Sequence, residues 1–126
     1  WFYNPVAYSE LSDLLCSADL HILFQKVNVI DTVMPSKILA MMASEKPSLI
    51  TGSLKSEVAK VLIESKGGKF FETNNTQDVL RFVYELKSDK TLINKYGKNA
   101  RSYIVEEFSK NQILNQFLKT FRNLSK

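Results

Sequence analysis

Hydrophobic positions in residues 1–75 fall into short continuous runs separated by helical stripes, a pattern of alternating strands and helices. Trp1–Tyr3 reads as a short strand, closed by the turn signal Asn4-Pro5. Glu10 to Ala18 carries Leu11, Leu14 and Leu15 at helical spacing. Asp19 to Phe24 is almost uninterrupted apolar sequence, which predicts a strand covered on both faces of a sheet. After a loop from Gln25 to Met34, Pro35 opens a helix to about Ser44, with Ile38, Leu39, Met41 and Met42 facing inward. Pro47 ends that helix, and Ser48–Thr51 is the next strand. Val58, Leu62 and Ile63 mark a helix from Lys55 to about Lys66, which Gly67-Gly68 is expected to stop because glycine accepts the left-handed cap conformation. Lys69–Glu72 is the last predicted strand.

From Thr76 onward the pattern is helical only. Val79, Leu80, Val83 and Leu86 form one stripe, and a second helix spans about Thr91 to Glu107, with Gly97 as a candidate break. Ser109 and Gln112 have the spacing of a capping box, with Phe108 and Ile113 as a hydrophobic staple. Strands alternating with helices, followed by helices alone, predict an α/β fold. The expected parallel sheet has about four short strands flanked by helices, and the tail is helical. Residues 1–126 form a single domain on this reading, with the α/β part in 1–75 and the tail in 76–126.

Composition narrows the picture only a little. Apolar residues make up 44% and charged residues 24%, as in ordinary globular domains. No apolar run reaches the ~18 residues that suggest a membrane span, and a cytoplasmic location is expected. One cysteine, Cys16, and one histidine, His21, exclude an internal disulfide and argue against a zinc site. The net charge of +4 suits an anionic ligand or surface but is too mild to predict nucleic-acid binding. An opening as apolar as Trp1-Phe2-Tyr3 reads as a cut end within a longer protein.

The segment that bears chemistry is Asp31-Thr-Val-Met-Pro-Ser-Lys-Ile-Leu-Ala-Met-Met-Ala-Ser-Glu-Lys-Pro47. It joins two predicted parallel strands, so its helix begins near their carboxyl ends, where open α/β sheets bind ligands. Pro35 suits a first helical turn, and Val33 and Met34 have no side-chain oxygen with which to cap it. Free amides, the positive end of the helix dipole, the Ser36 hydroxyl and the Lys37 charge together form a candidate diphosphate cradle at Pro35, Ser36 and Lys37.

The apolar strand after Ser-Ala-Asp19, then Met-Pro-Ser-Lys37, then Met-Met-Ala-Ser-Glu-Lys-Pro47, resembles the C-terminal, donor-binding domain of glycosyltransferase family 4, which has the GT-B fold. The closest likeness is to the bacterial branch that builds polysaccharides. Gly67-Gly68-Lys-Phe-Phe71, Asn99-Ala-Arg101 and Glu107-Phe-Ser109 extend the resemblance over nearly the whole chain.

The resemblance implies a partial Rossmann-like domain that binds a nucleotide-diphosphate sugar as substrate, with no cofactor or metal. It implies anomer-retaining hexosyl transfer in polysaccharide or lipopolysaccharide assembly, peripheral to the inner membrane face. Amides at Pro35-Ser36-Lys37 would hold the diphosphate, and the loop Tyr3-Asn4-Pro5 would approach the base. The family's paired glutamates fall on Thr32 and Ala40, so both carboxylates, including the one that binds ribose, are absent; Asp31 stands one position from the first. The family's glycine before the conserved proline is Glu45 here. No residue is assigned a catalytic role. The acceptor site and the basic donor clamp would lie in segments outside this chain, including an N-terminal domain, and the chain alone is expected to be inactive. In the doubly wound strand order Trp1–Tyr3 would be the third strand and Asp19–Phe24 the fourth, which leaves a sheet edge open to another chain.

Other residues read more simply. His21 is expected as a satisfied histidine of the core or near-surface, Cys16 as core, Met34, Met41 and Met42 as packing, and Lys26 as a solvated loop lysine. The last helix places Ile113, Leu114, Phe117, Leu118, Phe121 and Leu124 on one side, with Lys110, Lys119, Arg122 and Lys126 elsewhere. Docking on the protein core is the usual fate of such a helix, and an anionic membrane or a second molecule is the alternative. Two rival functions remain: a non-catalytic α/β interaction module with a basic amphipathic tail, and a nucleotide-sugar epimerase of the same fold.

Overall fold

The computed structural model describes residues 4–26, 36–72 and 75–124. Three strands, β1 (His21–Phe24), β2 (Ser48–Gly52) and β3 (Gly68–Glu72), form one parallel sheet in the order β1-β2-β3. Helices α2 (Ser36–Ala43) and α3 (Glu57–Ser65) lie between successive strands, and α1 (Leu11–Ser17) precedes the sheet after a 3-10 turn at Tyr8–Glu10. Three helices complete the chain: α4 (Thr76–Ser88), α5 (Lys90–Glu107) and α6 (Lys110–Leu124). The fold is α/β, with three described strands where the pattern predicts four. The expected strand at Trp1–Tyr3 lies outside the described residues.

Strand alternation divides the core into two layers. Leu23, Ile50 and Phe70 are register partners and point to one face, where Ile38 and Met42 of α2, Val58 and Leu62 of α3 and Ala100 of α5 cover them. Leu49 and Phe71 point to the other face, against Phe82 and Leu86 of α4. Central strand β2 is buried at all five positions, as expected for a parallel strand between two helical layers.

Coverage of β1 is one-sided, contrary to the expectation from its apolar run. Leu23 packs inward, whereas Ile22 is 49% and Phe24 72% exposed, because α4 lies over β2 and β3 and leaves β1 open on that face. Among the described residues β1 pairs only with β2.

Helix α5 closes the edge of the sheet at which the strands begin. Both α2 and α3 run back toward that edge and end there with unpaired carbonyls, as every α-helix does. Arg101 donates from Nη1 to the Ala43 carbonyl at 2.5 Å, and Asn99 donates from Nδ2 to the Lys66 carbonyl at 3.1 Å. The Arg101 cation also suits the negative end of the α2 dipole. Asn99 and Arg101 are therefore architectural in this fold.

Two glycine expectations are corrected. The left-handed residue that ends α3 is Lys66, at φ 51°, and not Gly67 or Gly68. Gly68 is needed for close approach instead, since a Cβ there would stand 1.8 Å from the Ser48 carbonyl oxygen. Nor does Gly97 break α5, which runs through it without interruption. Asp89 is the true junction: it ends α4 and caps α5, accepting from the Thr91 amide at 2.8 Å and the Thr91 hydroxyl at 2.6 Å. Those bonds hold its carboxyl below the ordinary carboxylate range.

Helix α6 departs from the expected docking on the core. All fifteen of its residues are exposed. At its start Ser109 Oγ accepts from the Gln112 amide at 3.3 Å, one of the two bonds of the expected capping box. Among the described residues no helix is long and apolar enough to cross a membrane.

Candidate functional site

With the edge where strands begin closed by α5, the opposite edge collects the strand ends and three helix N-termini. Helices α2, α3 and α4 all start there, because each follows a strand or precedes one in a parallel crossover. A cleft of about 650 Å³ opens at this edge, lined by Phe24, Gln25 and Lys26 after β1, Thr51 of β2, and Thr76, Val79 and Leu80 of α4. That volume suits a small-molecule site. One wall is apolar, through Phe24, Val79 and Leu80; the polar groups come from strand ends and the first residue of α4.

The three helix starts differ in charge. Ser56 caps α3, accepting from the Ala59 amide at 3.2 Å, and Glu57 stands in its first turn. Asn75 caps α4, accepting from the Asp78 amide at 3.3 Å, and Asp78 in that first turn is paired to Arg81 at 2.8 Å. Each carboxylate at a helix N-terminus already interacts favourably with the dipole and would repel a second anion. The first turn of α2 contains no acidic residue, and its Ser36 and Lys37 are exposed. Of the three, α2 is the start suited to an anionic ligand.

The predicted site residues are only partly brought together. Ser36 and Lys37 reach the same sheet edge as the cleft without forming its described wall. Ala40, one turn further along α2, borders a separate hollow of about 400 Å³ with Tyr8, Leu11, Cys16, Ser44 and Arg101. Asn4 and Pro5 are exposed. Tyr3, Asp31, Thr32 and Pro35 lie outside the described residues. Lys26 is an exposed loop lysine as expected, and it lines the cleft. Thr51 and Thr76 were not singled out by the sequence. Their only signal is position, at the end of a parallel strand and the beginning of the next helix on that edge.

His21 and Ser44 resemble a base and nucleophile in residue type. The Ser44 oxygen lies 2.7 Å from the Met41 carbonyl and 2.9 Å from Nε2 of His21, and the tautomer of the imidazole sets which of the two donates. Burial holds the His21 pKa below its ordinary value, against a hydrogen bond to the Leu15 backbone, and the Lys46 charge adds to the depression. His21 therefore joins α1, β1 and α2 as a satisfied near-core residue. Cys16 differs from its expected core placement: it is exposed. Met41 and Met42 are buried packing residues, as predicted, and Met34 lies outside the described residues.

No protein-family model, curated protein or solved structure matches the chain.

Proposed function

We propose that this chain is the donor-binding half of a GT-B glycosyltransferase of family 4, within a Rossmann-like domain that holds a nucleotide-diphosphate sugar. The parent enzyme transfers a hexose with retention of anomeric configuration during polysaccharide or lipopolysaccharide assembly. A second, N-terminal domain supplies the acceptor site and the remaining catalytic groups. The observation that carries the reading is the acid-free, lysine-bearing first turn of α2 at the ligand edge, set against two neighbouring starts that each carry a carboxylate. The sequence likeness from Asp19 to Pro47 supplies the chemical class.

On this reading the chain's own contribution is electrostatic. Amides at Ser36 and Lys37, with the Lys37 ammonium, stabilise charge that grows on the departing diphosphate as the sugar–phosphate bond breaks. The cleft beside Lys26 lies at the same edge and offers room for the rest of the donor.

Calorimetric titration of the chain with uridine diphosphate and guanosine diphosphate tests the proposal. Saturable binding is expected with one of them, and Lys37→Ala should weaken it about ten-fold, the loss typical of a charged hydrogen bond. Lys55→Ala, on the neighbouring β2–α3 loop, is the control and should leave binding unchanged. Equal losses in both variants would reduce the site to diffuse positive charge. No saturable binding at millimolar ligand would favour the interaction-module reading, which the missing carboxylates at Thr32 and Ala40 and the exposed α6 also support.

A further inference from the structure

We draw no further inference here: the strongest candidate, the hollow of about 400 Å³ between α1 and the end of α2 that exposes Cys16 beside Ser44 and Arg101, rests on a lone cysteine, and nothing in the structure shows what fills it.

Discussion

The backbone of Gly97 lies so close to Glu45 that a Cβ on residue 97 would stand 2.1 Å from the Glu45 carbonyl oxygen. This contact seats α5 on the turn between α2 and β2, and it explains why a poor helix former sits inside an eighteen-residue helix. On an exposed helix face Gly→Ala would stabilise by about 1 kcal/mol. Here Gly97→Ala must push two backbones apart, and overpacking of that kind costs about 1–3 kcal/mol. The expected result is a lower midpoint in urea. An unchanged or higher midpoint would mean that α5 does not rest on that turn.

Glu45 itself adopts φ 60°, a left-handed conformation that side chains other than those of glycine and asparagine seldom take. Glu45→Gly removes that strain and should stabilise by about 1 kcal/mol, the lower end of the left-handed penalty. The Glu45 amide bond to the Met42 carbonyl at 3.2 Å is retained. Thermal melts of the two proteins side by side check this, and a lower melting point in the glycine variant would contradict it.

His21 gives the fold a pH dependence near neutrality. Its folded pKa lies below the ordinary value of 6.5, so the unfolded chain takes up the proton more readily. Stability from this residue is complete above about 6.5 and is lost as pH falls through that value toward the folded pKa. Asp89 is also depressed, but from 3.8, so its effect belongs to stronger acid. Urea midpoints at pH 7.5 and 5.5 should therefore differ in the natural sequence and converge in His21→Gln. A drop of the same size in both proteins would assign the dependence to other groups.

Phe82 and Glu85 lie one turn apart on α4 and should respond very differently to truncation. Phe82 is 1% exposed, meets Tyr96 edge-on at 5.6 Å, and has the Lys69 ammonium 4.8 Å from its ring centre. Phe82→Ala should cost about 3–5 kcal/mol through lost burial and a cavity. Glu85 pairs with Lys69 at 2.9 Å, but both side chains are about two-fifths exposed. Glu85→Ala should cost less than about 1 kcal/mol. Comparable losses in chemical denaturation would refute this ranking.

Most helices and strands were legible because each carries its own period and its own stop signals. Pro47 and Ser109 act on neighbouring residues, so the boundaries they predict agree with the structure to within about two residues. The glycines misled because their role is long-range. Gly68 answers to Ser48, and Gly97 to Glu45, through approaches that sequence spacing does not encode. Phe24 and Ile22 misled for a related reason: an apolar strand run signals burial only if a helix arrives on each face, and α4 stops short of β1. In the candidate site, Ser36 and Lys37 were readable from a proline-opened turn. Thr51 and Thr76 were not, because only the parallel order of the strands puts them on one edge.

The linear pattern alone determined an α/β chain with parallel crossovers and a helical tail, since hydrophobic periodicity is a local property of each element. The packing of α5 decided which edge of the sheet is closed, and with it which helix starts remain open to a ligand. Three-dimensional placement also left α6 bare. Whether an apolar stripe is covered depends on what comes to rest against it, and no spacing within the stripe specifies that.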